Sequence, residues 1–246
     1  MNMDFTIEKY VELLEALRRH KDHRIRHDVD LRPEYSLRVA RVENEMGVKA
    51  TYYFRSMHFT SHAETIKAIA ALGHEVGYHY ECLTTCNGDV AAAYDDFCRN
   101  LEALRKIADV RCACAHGSPR SRWNSQDIWN QYDYHAVGIE HESMMDTDFS
   151  TTLYLTDTGR RWDGYRVAVR DKVPHYQEEW MREGLVFHST DDIIGALADE
   201  GHPIHRKLLL VNTHPQRWMP FGFQWVKEAG LQKTKNVVKR LIVSTR

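Results

Sequence analysis

The amino-acid sequence predicts an α/β protein with a parallel β-sheet, arranged as a barrel or as an open doubly wound sheet. Helix-type and strand-type hydrophobic patterns alternate along the first half of the chain. No proline-rich stretch, low-complexity segment or linker interrupts them. The chain has 246 residues, 43% of them apolar, which is enough to bury one core, so we expect a single domain over residues 1–246.

The first half of the chain predicts four helices, each followed by a strand. Residues 5–17 place apolar side chains on one helical face, and residues 35–46 repeat that spacing. Ser61 and Glu64 have the spacing of a capping box for a third helix, and Asp89 can cap a fourth. The segments after these helices predict strands over residues 24–30, 49–54, 74–80 and 111–116.

The second half of the chain has a looser pattern. Ser189 with Asp192 predicts the start of a helix that continues to Leu197. Strands are predicted over residues 134–141, 153–156, 165–169 and 207–213.

Polar residues follow the predicted strands at their carboxyl ends, where parallel barrels carry their active sites. Asp28 and Asp30 are two residues apart and so share one face of a strand end, and His79 and Glu81 repeat that spacing. Two carboxylates held this close repel each other unless a cation lies between them. The candidate site residues at strand ends are Asp28, Asp30, His79, Glu81, His116 and His214.

The composition argues against several other functions. A formal net charge of −2 provides no basic stripe for a phosphate backbone, so nucleic acid is not an expected partner. No apolar run approaches the roughly 20 residues that a membrane helix needs. The first residues lack the parts of a signal peptide, so we expect a cytoplasmic protein. The five cysteines are an odd number, which favours reduced thiols over a disulfide framework.

Five segments carry a family resemblance: residues 26–30 (RHDVD), 49–54 (KATYYF), 72–81 (LGHEVGYHYE), 115–118 (AHGS) and 211–218 (VNTHPQRW). In order and spacing they resemble the polysaccharide deacetylase (NodB-homology) family, and most of all its branch associated with lipopolysaccharide O-antigen biosynthesis. The resemblance implies a distorted (β/α) barrel of about seven parallel strands. It also implies metal-dependent removal of N-acetyl groups from sugars.

Matched by position, the resemblance implies a role for each of several residues. Asp28 corresponds to the catalytic base, Asp30 to the metal-binding aspartate, and His214 to the general acid. His79 corresponds to the first histidine of the family's metal motif, while Leu83 stands where the family has the second. The family's arginine- and proline-rich third motif is replaced by residues 116–120.

A catalytic zinc ion needs about three protein ligands from histidine and carboxylate side chains. Asp30 and His79 supply two, which leaves either Glu81 or His116 to complete a divalent metal site, with zinc as the expected ion. Arg26 and Trp218 are expected to lie at the substrate site. Arg26 would hold the Asp28 carboxylate ionised, and Trp218 would stack on a sugar ring. Core packing is the alternative for Trp218, and a salt bridge within the strand is the alternative for Arg26.

The sequence therefore predicts a metal-dependent sugar N-deacetylase. The expected cytoplasmic location narrows its substrate to a nucleotide- or lipid-linked N-acetyl sugar. Two alternatives stay open: another metal-dependent C–N hydrolase, or a catalytically lapsed barrel that binds a sugar or a partner. Leu83 motivates the second alternative.

Overall fold

The computed structural model describes residues 3–118, 121–163, 165, 168 and 171–244. Its strands form one seven-stranded sheet in the order β5-β4-β3-β2-β1-β7-β6. The strands are β1 (His23–Val29), β2 (Thr51–Phe54), β3 (Glu75–Tyr80), β4 (Cys112–Ala115), β5 (His141–Glu142), β6 (Thr152–Thr156) and β7 (Leu208–Thr213).

Helices connect the strands, as the alternating sequence pattern predicted. They are α1 (Ile7–Leu17), α2 (Pro33–Glu45), α3 (Ala63–Ala71), α4 (Cys82–Thr85), α5 (Val90–Arg105), α6 (Pro174–Arg182), α7 (Thr190–Ala198) and α8 (Phe223–Ser244). The pairs from β2 to β5 are parallel, and so is the pair of β6 and β7. The α/β class and the distorted (β/α) barrel of about seven parallel strands are thereby confirmed.

The chain divides into two compact units. One contains Met1–Arg26 and Asp148–Arg246, and the other contains His27–Thr147. The core of the second unit is rich in aromatic rings, with Tyr78, Tyr80 and Trp129 packed around Phe97. The expectation of a single domain over residues 1–246 stays a prediction.

Of the helix caps predicted from the sequence, those of α5 and α7 are confirmed and that of α3 is not. Asp89 caps α5 by accepting from the Ala92 amide, and Ser189 forms a capping box with Asp192 at the start of α7, as predicted. The capping box expected from Ser61 is wrong. Helix α3 begins after His62, and no side chain caps that end among the described residues.

The prediction of a strand over residues 134–141 is also wrong. A 3₁₀ turn spans His135–Val137, and Gly138 follows it with a φ of 73°, a left-handed conformation that no strand continues through. Only His141–Glu142 joins the sheet, as β5. The strand predicted over residues 165–169 lies outside the described residues, apart from positions 165 and 168. Within the described part of the chain, no helix has both the length and the apolar content to cross a membrane.

Candidate metal centre

Two neighbouring strands and the end of a third place the candidate ligands within the unit His27–Thr147. The parallel register pairs His79 of β3 with Cys114 of β4. His116 comes two residues after Cys114, and alternate residues of a strand share a face, so His116 lies on the His79 side of the sheet. Asp30 follows the last residue of β1. The same edge of the sheet therefore presents all three side chains.

The donor atoms of Asp30, His79 and His116 converge. The Asp30 Oδ1 atom lies 3.6 Å from His79 Nε2 and 3.4 Å from His116 Nε2. The donor atoms of the three residues all lie within 4.8 Å of one another. Two imidazoles and one carboxylate are the donor set of many catalytic zinc sites, and they leave a coordination position for water or substrate. The three residues therefore fit a divalent metal ion of the zinc type.

The outer nitrogen of each imidazole is held by a hydrogen bond. His79 Nδ1 donates to the Cys114 carbonyl over 2.9 Å, and His116 Nδ1 lies 2.9 Å from Glu81 Oε2. These bonds fix both rings and direct each Nε2 atom toward Asp30. Metal-binding histidines usually have such a partner on the second ring nitrogen, which orients the ring and raises its basicity.

Glu81 lies beside the three donors but outside their group, and its prediction as a ligand stays a prediction. Its carboxylate is hydrogen-bonded by the Arg55 guanidinium and by His116, so both oxygens are already engaged. Burial would raise the pKa of Glu81, but the hydrogen bond from His116 and the charge of Arg55 outweigh it and lower the pKa to about 2. The ionised Glu81 can then hold the proton on His116 Nδ1. Of the two candidates for a third ligand, His116 is the one whose donor atom lies within 4.8 Å of those of Asp30 and His79.

Asp28 lies beside the three donors. Its Oδ2 atom is 3.9 Å from His79 Nε2, and the residue is 5% exposed. Burial would lower the pKa of His79, but the carboxylates of Asp28 and Asp30 outweigh it and raise that pKa. A buried carboxylate next to, but outside, the donor set is suited to accept a proton from a water molecule at the centre. Leu83 is buried and provides no donor.

The unit Met1–Arg26 with Asp148–Arg246 contains the predicted general acid, His214, in a buried polar cluster. His214 Nδ1 lies 2.6 Å from Asp157 Oδ1, and Arg217 Nη1 contacts the same carboxylate at 2.5 Å. Burial would raise the pKa of Asp157, but the charges of Arg217 and His214 outweigh it and lower the pKa to about 2. Sequence reasoning missed Asp157, although it directly follows β6, so the strand-end rule that selected the other residues also applied to it.

The structure corrects one prediction about substrate contact. Trp218 is 0% exposed; its ring packs against Phe5 and Tyr10, and its Nε1 atom donates to Asp157. An indole with no exposed face cannot stack on a sugar, so Trp218 is a core residue. Arg26 is also buried, with its guanidinium 5.6 Å from the ring centroid of Tyr154. A contact between Arg26 and substrate stays a prediction.

Solved structures of other proteins are similar to this chain at low sequence identity. No protein-family model matches it, and no curated protein does. Among solved structures it is similar to a Streptococcus mutans CE4 esterase, with 15% identity and a TM-score of 0.45 over 96% of this chain and 88% of that one. It is also similar to Bacillus subtilis PdaA, a family 4 carbohydrate esterase, with 13% identity and a TM-score of 0.43 over 91% and 84%.

A third similar structure is a CE4 family pseudoenzyme from Bacillus anthracis, with 15% identity and a TM-score of 0.44. The match covers 89% of this chain and 62% of that one, so the chain spans less than two thirds of the pseudoenzyme's length. Similarity this distant assigns no activity. The function of this chain has to be inferred from its own side chains.

The hydrogen bonds around the centre predict how zinc affinity responds to substitution. His116→Ala removes a ligand and should abolish tight binding at this site, whereas Glu81→Gln should weaken it roughly 10–100-fold, as expected for an orienting partner. Zinc dissociation constants from competition with a chromogenic chelator measure both effects. His175→Ala, which changes an exposed histidine on α6, is the matched control and should bind as the wild type does. Equal affinity in the wild type and His116→Ala would contradict the assignment.

The buried Asp157 predicts an acid-dependent part of the stability. Because its folded-state pKa of about 2 lies below its ordinary value of 3.8, the ionised form stabilises the fold above about pH 4, and this is lost as the pH falls toward 2. The unfolding free energies of the wild type and Asp157→Asn should therefore differ by ~2 kcal/mol less at pH 2 than at pH 5. Urea denaturation at the two pH values measures the difference. A constant difference would show that the pKa of Asp157 is the same in the folded and unfolded states, which contradicts its stabilisation by Arg217 and His214.

Proposed function

We propose that this chain is a metal-dependent hydrolase that removes N-acetyl groups from a sugar. The observation that carries the proposal is the convergence of Asp30, His79 and His116, with the Asp28 carboxylate 3.9 Å from His79 Nε2. A three-donor centre with an adjacent carboxylate is an arrangement that can hydrolyse an unreactive amide, because the ion polarises the carbonyl and the carboxylate accepts a proton. The resemblance of the strand-end motifs to polysaccharide deacetylases supports the N-acetyl sugar as substrate.

Asp30, His79 and His116 would hold the metal ion, and we propose zinc because two imidazoles and a carboxylate suit it. When bound, a zinc ion polarises a carbonyl group and makes water more acidic. Asp28 accepts the proton of the attacking water at a carboxylate oxygen. The Asp28 Oδ2 atom lies 3.9 Å from His79 Nε2, which places this proton acceptor beside the donor atoms.

Collapse of the tetrahedral species requires a proton on the departing nitrogen, and we propose His214 as its source. The Asp157 carboxylate beside His214 Nδ1 holds the ring in one orientation. The Nδ1 atom is occupied by this contact, so Nε2 is the atom that can donate to substrate. Arg217 keeps Asp157 ionised, so the Asp157 carboxylate can accept the hydrogen bond of His214 Nδ1.

The finer features of the function are proposals as well. They comprise a cytoplasmic location, a nucleotide- or lipid-linked N-acetyl sugar as substrate, and a place in O-antigen assembly. The loss of the family's second histidine at Leu83 motivated a lapsed enzyme as an alternative. Because His116 from the next strand supplies a third donor, the geometry favours an active centre over a lapsed one.

The role of Asp28 is tested by separating metal binding from turnover. Asp28→Asn keeps the shape of the side chain but removes the proton acceptor, so acetate release from N-acetyl sugars by the zinc-loaded protein should fall by roughly 10²–10⁴-fold. Zinc affinity should change little, because Asp28 lies outside the three-donor set. Acetate is measured by an enzyme-coupled assay on UDP-N-acetylglucosamine and on short N-acetylglucosamine oligomers.

A matched control makes the result interpretable. The exposed Asp95→Asn on α5 matches the chemistry of the substitution and should leave turnover unchanged. Turnover by Asp28→Asn equal to that of the wild type would exclude Asp28 as the base. Acetate release from neither substrate by zinc-loaded wild type would contradict deacetylation of these sugars, and a lapsed barrel would then be the better description.

A further inference from the structure

A second group of metal donors lies at the amino ends of β3, β4 and β5, within the unit His27–Thr147. Glu75, Cys112 and His141 are the first residues of these three adjacent strands. A carboxylate oxygen, the Cys112 Sγ atom and an imidazole nitrogen all lie within 4.8 Å of one another. These residues take no part in the centre formed by Asp30, His79 and His116.

The strand register explains why the three side chains meet. Cys112 pairs with Gly77 on β3 and with His141 on β5, so the three positions form one row across the sheet. Glu75 precedes Gly77 by two residues and therefore shares its face. A Cβ atom on Gly77 would lie only 2.8 Å from Cys112 Sγ, so the missing side chain provides the space that the thiol occupies beside Glu75.

The donor chemistry suits a thiophilic divalent ion. Sulfur, imidazole nitrogen and carboxylate oxygen together favour zinc, or cobalt in its place, over magnesium or calcium, which prefer oxygen ligands alone. The carboxylate is oriented by a further contact, since Thr51 Oγ1 donates to Glu75 Oε2 over 2.7 Å. Glu75 is exposed and His141 is half-buried, so an ion can reach the buried thiol from solvent.

We propose that Glu75, Cys112 and His141 bind a second divalent ion of the zinc class, which links β3, β4 and β5 at the end of the sheet opposite the candidate metal centre. As the sulfur–metal bond forms, the Cys112 thiol releases its proton to solvent. Glu75 and His79 are four residues apart on one strand, a separation of about 13 Å at the rise of a β-strand. The two sites therefore hold separate ions.

Cobalt distinguishes the two sites because only one of them offers a thiolate. Titration of the purified full chain with Co²⁺ should give a sulfur-to-cobalt charge-transfer band in the near ultraviolet. The band should disappear in Cys112→Ser and persist in His79→Ala, which disrupts only the other centre. Zinc stoichiometry from equilibrium dialysis should fall from two ions per chain in the wild type to one in each of these variants.

The matched control is Cys114→Ser, because Cys114 is also buried on β4 and its thiol lies near Asp28 and His79. The charge-transfer band should survive this substitution. Its loss in Cys114→Ser with retention in Cys112→Ser would place the thiolate at the other centre and overturn the proposal, as would absence of the band in folded wild type. If Cys112→Ser does not fold, His141→Ala provides the same test, and an unchanged stoichiometry of two in that variant would contradict the site.

Discussion

The parallel register between β3 and β4 is the constraint on which the candidate centre depends. Pairing His79 with Cys114 places the Cys114 carbonyl where it accepts the His79 Nδ1 proton, and it puts His116 on the same face two residues later. A slip of one residue would turn His116 to the opposite face, because side chains alternate along a strand. The core of aromatic rings behind β3 holds this register, since Tyr78 and Tyr80 pack against Phe97 on the other face.

Charge compensation is the second feature that makes the centre possible. Two carboxylates near the candidate functional residues have cationic and hydrogen-bonding partners that offset their lost hydration. Glu81 has Arg55 and His116, and Asp157 has Arg217 and His214. In both cases the ionised carboxylate holds an imidazole in one orientation through its Nδ1 atom. The same carboxylate–imidazole contact occurs in each of the two units. One lies beside the metal donors, and the other involves the proposed general acid.

Much of this could be predicted from the sequence, because strand ends and alternating patterns are local properties. Asp28, Asp30, His79 and His116 were all identified by their positions after strands. The choice between Glu81 and His116 could not be made, because it depends on Arg55, a residue after β2 that engages the Glu81 carboxylate. The burial of Trp218 likewise results from packing against α1, which no local pattern reveals. The second donor group, Glu75, Cys112 and His141, was not predicted, because its members begin strands rather than end them.

The central claim is that one divalent ion is held by a carboxylate and two imidazoles from neighbouring strands. An anomalous difference map collected at the zinc absorption edge, from crystals of the full chain grown with zinc, tests it most directly. We expect a peak within bonding distance of Asp30 Oδ1, His79 Nε2 and His116 Nε2, with the Glu81 carboxylate still on His116 Nδ1. A map with no peak among these three atoms, or with Glu81 bound to the ion in place of His116, would contradict the claim.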